Sequence, residues 1–177
     1  MLGFIDLNWN QDLSLWPHDP IVQKTDQFSG GADHFLQIVE ETVKWSKTII
    51  GETPYTIVAG YSMGGLFALY TSYRSALFDA IVCASGSVWY PDFYEYATAH
   101  SMKRQPRSIY LSLGKKETNT RNPYLQKTAS IMEKLETFYH RLHIPCIFQW
   151  NPGNHFADAD LRLAKGIFWS FQEMNKK

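Results

Sequence analysis

A short run of β-branched and small residues, Tyr55-Thr56-Ile57-Val58-Ala59, passes without a spacer into Gly60-Tyr61-Ser62-Met63-Gly64-Gly65 and then into the helix-forming Leu66-Phe67-Ala68-Leu69. Few local structures accept that order. The chain must leave a strand, turn sharply and enter a helix, with a serine at the tip. A serine so placed sits in a cramped backbone conformation. Bulk two residues to either side would clash, which accounts for Gly60 and Gly64. The same geometry lifts the Ser62 hydroxyl clear of a sheet. It also places the Met63 amide at a helix N-terminus, where it can stabilise an oxyanion. Glycine and serine are common, so the five-residue pattern acquires meaning only from the strand before it and the helix after it.

The rest of the chain repeats the alternation of strand and helix. Leu2–Asp6 is a short apolar run that reads as a buried strand. It is followed by a long connection rich in Asn, Asp and Trp that reaches Gly30-Gly31 and reads as a site-forming loop. From Asp33 the residues Phe35, Ile38, Val39, Thr42, Val43, Ser46 and Ile49 fall at helical spacing, and Gly51 and Pro54 close that helix. The helix after Ser62 ends near Arg74. The continuous apolar run Asp79–Ala84 marks a strand covered on both faces and opens into the aromatic loop Ser85–Pro91. A helical piece, Asp92–His100, precedes a strand at Ser108–Leu113 that ends at Gly114. A long amphipathic helix runs from Pro123 to about Leu142, and a further strand spans Ile144–Trp150. Pro145 predicts an edge position for that strand, because proline cannot donate to a ladder. The closing helix is Leu161–Met174.

Such alternation predicts one α/β domain over 1–177, with a mostly parallel sheet of about five strands and helices on both faces. In a sheet of that kind the ligand site lies outside the carboxyl ends of the strands, and each unusual loop above follows a strand. The 177 residues carry zero formal net charge. That balance argues against nucleic acid and against an anionic membrane surface as partners. The first residues lack the basic stretch and apolar core of a signal peptide, and no apolar run approaches membrane-spanning length, so a cytoplasmic location is expected. Cys83 and Cys146 lie in apolar runs and read as buried thiols, with a single disulfide between them as the alternative. No CxxC pair, HExxH or phosphate-loop pattern is present, so neither a metal nor a cofactor is expected.

A serine hydroxyl is a weak nucleophile until a base takes its proton, and a histidine base works best when a carboxylate orients it. In chain order the sequence offers Ser62, then a carboxylate, then His155 just beyond the last strand, where Gly153 supplies backbone freedom. His34, His100, His140 and His143 read as surface residues, which leaves His18 in the first loop as the rival. Glu117, three residues past Gly114, is placed to reach the histidine loop. Asp158 and Asp160 are nearer His155 but suit the start of the final helix, and a dyad without an acid is the fallback. Asp12 reads either as a pocket residue or as a turn cap. Trp9, Trp16, Trp89 and Tyr90 lie on two loops expected at one end of the sheet. With Tyr61 beside the serine, Trp9 and Trp89 are the candidates for a substrate pocket, and a lid packing on itself is the alternative.

Taken together, Gly60-Tyr61-Ser62-Met63-Gly64-Gly65-Leu66-Phe67-Ala68-Leu69, Ser85-Gly86-Ser87-Val88-Trp89, Leu111-Ser112-Leu113-Gly114-Lys115-Lys116-Glu117 and Gly153-Asn154-His155-Phe156 resemble the esterase family of α/β-hydrolases that includes esterase-D-like and siderophore (enterobactin-type) esterases. The resemblance covers nearly the whole chain. It implies Ser62 as nucleophile, His155 as base and Glu117 as acid, acting through an acyl-enzyme on a small-molecule ester. Gly86 stands where the family usually has proline, and Lys115 stands where a Gly-Asp-Lys-Glu pattern would place an aspartate. By the same resemblance a loop after an upstream strand supplies the second oxyanion amide, and Leu2–Asp6 matches the strand that follows it. Either a strand beside the nucleophile strand is missing, or Leu2–Asp6 takes that place and an amide near Leu7 or Asn8 substitutes. A missing strand would leave an open edge that promotes homo-oligomers. Losing one oxyanion donor costs roughly 3 kcal/mol of transition-state stabilisation. A non-catalytic binding protein on the same fold, and an acyltransferase with the same three residues, are therefore the alternatives to an ester hydrolase.

Overall fold

Asn8 and Asp12 close a reciprocal cap on the first helical turn. The Asn8 side-chain oxygen accepts from the Gln11 amide at 3.4 Å, and the Asn8 amide donates to Asp12 Oδ2 at 2.9 Å. These bonds occupy donors that a helix start leaves open. They frame α1 (Trp9–Asp12) in the computed structural model, which describes residues 1–176. Asp12 thus takes the capping role of its two readings. A two-stranded antiparallel ladder follows, β1 (Pro17–His18) against β2 (Phe28–Ser29). Asp26 organises the connection, its Oδ2 accepting the Val22 and Gln23 amides at 2.8 Å each. In α2 (Ala32–Ile50) the buried stripe is Ala32, Phe35, Leu36 and Val39. It is narrower than the spacing predicts, because Ile38 and Ile49 are exposed. These elements form one compact unit, Met1–Glu52; the second is Thr53–Lys177.

The strand expected at Leu2–Asp6 does not form. Leu2 and Ile5 are exposed, Asp6 adopts a left-handed φ of 57°, and only Phe4 packs, its ring 5.3 Å from that of Phe35. The run contains one β-branched residue and a glycine, so its intrinsic preference for extended pairing is weak. The parallel sheet accordingly has four strands where about five were expected.

In the second unit the order is β3 (Ile57–Tyr61), α3 (Met63–Arg74), β4 (Ala80–Ala84), α4 (Phe93–Ala99), β5 (Ser108–Gly114), α5 (Thr128–Arg141, entered through a 3₁₀ turn at Leu125–Lys127), β6 (Cys146–Asn151) and α6 (Ala159–Met174). The strands pair in the order β3-β4-β5-β6, all parallel. Every residue of β4 and β5 is buried, as continuous apolar runs require of central strands. β6 lies at an edge, where Pro145 belongs. Successive side chains of β4 point to opposite faces. Gly65 of α3 lies against Cys83, whereas Gly166 of α6 lies against Val82 and the Tyr110 ring. α3 and α6 therefore cover opposite faces of the sheet. α5 joins the α3 face, with Tyr139 Oη 3.5 Å from Tyr73 Oη. Cys83 and Cys146 are free and buried, and burial pushes both thiols up. Among the described residues no helix is long and apolar enough to cross a membrane.

The turn at the end of β3 depends on one absent methyl. A Cβ on Gly60 would lie 2.0 Å from the Gly64 carbonyl oxygen, while a Cβ on Gly64 would meet nothing within 4 Å. The clash expected at both glycines is confined to Gly60, because the backbone of Gly64 itself fills the space over it. Gly60→Ala is expected to destabilise the protein by about 2 kcal/mol or more. Gly64→Ala, inside a helix, is expected to leave stability unchanged or raise it by up to about 1 kcal/mol. Urea midpoints of the two variants check the contrast.

Candidate active site

Because the four strands are parallel and in register, their carboxyl ends deliver four loops to one rim of the sheet. Tyr61 pairs with Ala84, Ala84 with Ser112, and Gly114 with Asn151. The loops that follow carry Ser62, Ser85–Ser87, Glu117 and His155, and this is the rim where an α/β sheet binds ligands.

Ser62 holds φ 55° and ψ −122°, a conformation that L-residues avoid. The surroundings over-determine it. The Ser62 amide donates to the Ala84 carbonyl at 3.1 Å, and the Ser62 carbonyl accepts from Gly65, Leu66 and Ser87 at 3.0, 3.1 and 2.9 Å. Met63 follows as the first residue of α3, where the leading amides have no intrahelical acceptor. The side chain of Ser62 faces two partners. Its Oγ lies 3.0 Å from His155 Nε2 and 3.4 Å from Ser87 Oγ.

His155 Nδ1 lies 2.7 Å from Glu117 Oε2. A carboxylate only accepts, so Nδ1 carries the proton in this contact and Nε2 is left to accept from the Ser62 hydroxyl. The other carboxylate oxygen, Oε1, accepts from the Gly114 amide at 2.6 Å, from Ser85 Oγ at 2.8 Å and from Arg162 Nη1 at 2.7 Å. Burial pushes the Glu117 carboxyl up, but hydrogen bonds from His155, the Gly114 amide and Ser85 outweigh it and hold the group below its ordinary value. Gly153, at φ 83°, turns the chain out of β6, and its carbonyl accepts the Lys116 amide at 3.0 Å, tying the acid loop to the histidine loop.

Arg162 is the residue that sequence reasoning missed. It is 1% exposed. Its Nη1 also reaches Ser85 Oγ at 3.0 Å and Tyr61 Oη at 3.3 Å, and its Nη2 donates to the carbonyls of Pro152 and Asn154 at 2.6 and 2.9 Å. One signal was available. At helical spacing Arg162 shares a stripe with Gly166, Ser170 and Met174, all buried, so the small residues of the last helix mark its inner face.

Other expected residues divide clearly. Lys115 is exposed, and it is Glu117 that meets the imidazole. Asp158 stands at the N-cap position of α6 without a side-chain cap bond, and Asp160 lies in the first turn. His100 stacks on Tyr96, and His140 and His143 are exposed. The Tyr61 hydroxyl donates to the His155 carbonyl at 2.6 Å, and its ring lies 5.4 Å from the imidazole. Trp89 is half-buried beside Tyr90, and Trp9 is 48% exposed on α1 of the first unit. Gly86, where the family usually has proline, makes room for Cys83, whose sulfur would lie 2.1 Å from a Cβ at that position.

No protein-family model matches the sequence, and no curated protein matches it. Solved structures do. A siderophore hydrolase, EstA from Aspergillus nidulans, superposes with a TM-score of 0.69 at 21% identity, over 93% of this chain and 66% of that one. An IroE-like serine hydrolase from Shewanella oneidensis gives a TM-score of 0.76 at 16% identity, over 92% and 56%. The enterobactin esterase FES from Shigella flexneri, solved in the presence of 2,3-di-hydroxy-N-benzoyl-glycine, gives 0.64 at 25% identity, over 82% and 40%. The fold is α/β-hydrolase-like. The chain spans from 40% to 66% of the lengths of these three structures.

A carboxyl held below its ordinary value binds its proton less readily in the folded state than in the unfolded one. Its stabilising contribution is complete above the ordinary value of 4.5 and is lost as pH falls through the lower folded-state value. Glu117→Gln also leaves the Arg162 charge buried without its partner, which costs about 3 kcal/mol or more at pH 7. The expected outcome is a stability gap between wild type and Glu117→Gln that is constant near neutrality and narrows below pH 4.5, measured by urea unfolding across that range.

Proposed function

We propose that the protein is a serine hydrolase acting on small carboxylic esters, with Ser62 as nucleophile, His155 as general base and Glu117 as the acid that orients it. The observation that carries this reading is the unbroken relay from Ser62 Oγ to His155 Nε2 at 3.0 Å and from His155 Nδ1 to Glu117 Oε2 at 2.7 Å. His155 takes the hydroxyl proton as Ser62 Oγ attacks the ester carbonyl. The imidazolium so formed is steadied by Glu117 and returns the proton to the departing alcohol. The Met63 amide, at the head of α3, stabilises the tetrahedral oxyanion together with a second donor. Water, deprotonated by the same imidazole, then releases the acyl group. None of these steps calls for a metal or cofactor.

Trp89 and Tyr61 are proposed to line the substrate pocket, with the Phe156 ring, 88% exposed and edge-on to His155 at 5.4 Å, at its mouth. Structural neighbours named as a siderophore hydrolase and an enterobactin esterase support a trial of such esters first. A cytoplasmic location fits a small diffusible substrate.

A fluorophosphonate probe is expected to label Ser62 on the folded protein, and p-nitrophenyl butyrate is expected to be hydrolysed. Ser62→Ala should abolish labelling, and both Ser62→Ala and His155→Ala should lower kcat at least about ten-thousandfold. A folded protein without a Ser62 adduct or turnover, but with a melting temperature raised by enterobactin-type ligands, would return the binding-protein reading.

A further inference from the structure

We propose that Arg162 is the positioning residue of this site, gripping the acid loop and the histidine loop together so that the imidazole is presented to Ser62. The role rests on the serine-hydrolase reading above. A buried arginine that merely neutralised Glu117 would need one contact. Arg162 makes five, and they fall on both sides of the Glu117–His155 bond.

On the acid side, Nη1 joins the Gly114 amide and Ser85 Oγ at Glu117 Oε1. With three donors on Oε1, the carboxylate is held with Oε2 turned to the imidazole. On the base side, Nη2 holds the carbonyls of Pro152 and Asn154, which bracket Gly153 and lead directly into His155. A second path runs through Tyr61, whose hydroxyl accepts from Nη1 and donates to the His155 carbonyl. The planar guanidinium suits this task. It sets donors at fixed angles to acceptors on three loops, whereas a lysine ammonium offers the same charge from a single nitrogen. The Nε–H is buried without an acceptor among the described residues. The side chain is therefore placed for its terminal nitrogens, even at the expense of the third. Misplacing a reacting group by about 1 Å costs roughly a hundredfold in rate, so a loosened grip should act on kcat.

Three measurements test the role, two of which need no turnover. By NMR on the wild-type protein, the Arg162 Nη protons should be resolved and slow to exchange, and His155 Nδ1–H should give a sharp, far-downfield resonance. Averaged, rapidly exchanging Nη protons would overturn the proposal without any variant. In Arg162→Lys, which keeps the charge, the His155 resonance should broaden or vanish and amides 152–156 should exchange at least about tenfold faster. With p-nitrophenyl butyrate, kcat should fall about tenfold to a hundredfold while KM stays within about twofold. A folded lysine variant with wild-type kcat, resonance and exchange would also overturn it. If wild type shows no Ser62-dependent turnover, the hydrolase reading fails on that result alone, and the two NMR measurements still decide whether Arg162 holds the loops as described.

Discussion

A carboxylate with 7% of its side chain exposed keeps its charge only where donors replace the water it has lost. Glu117 has four: the His155 imidazole, the Gly114 amide, the Ser85 hydroxyl and the Arg162 guanidinium. Those donors come from the ends of β4, β5 and β6 and from α6. Satisfying this one group therefore fixes how three strand-end loops and the last helix meet. The imidazole inherits its orientation from that arrangement, and the Ser62 hydroxyl is met by the imidazole in turn. The rim of the sheet is thus organised from the acid outward, although the serine is the more conspicuous residue in the sequence.

Much of this was legible before any coordinates. Ser62, Glu117 and His155 each lie a few residues past a strand that the apolar runs delimit, and a parallel sheet has no choice but to bring such loops to one edge. Pro145 marked the outer strand because a ladder donor was missing. The apolar continuity of Ala80–Ala84 and Ser108–Gly114 marked the two inner ones.

What stayed hidden did so for identifiable reasons. Leu2–Asp6 reads as a strand by hydrophobicity, yet a strand needs a paired edge, and a five-residue window carries no information about one. The inner face of the final helix is hidden for a more instructive reason. Leu161, Phe168 and Phe171, its conspicuous apolar residues, are 51%, 62% and 50% exposed, while its inner stripe is Arg162, Gly166, Ser170 and Met174. Gly166 explains the inversion: any side chain there would strike Val82 and Tyr110, so the helix packs close to the sheet through small residues. At its amino end the long Arg162 side chain reaches Tyr61, Ser85 and Glu117 at the carboxyl ends of the strands. Hydrophobic periodicity is blind to a face chosen for closeness of approach.

The backbone at position 62 has a consequence for how the protein would drift under mutation. A φ of 55° with ψ of −122° is costly for serine and nearly free for glycine. Substitution by glycine would relax the turn while deleting the hydroxyl, so under the proposed function thermal robustness and reactivity would pull in opposite directions at a single codon. A population selected for heat tolerance alone would be drawn toward the silent variant, and retention of serine there would itself report that the alcohol is in use.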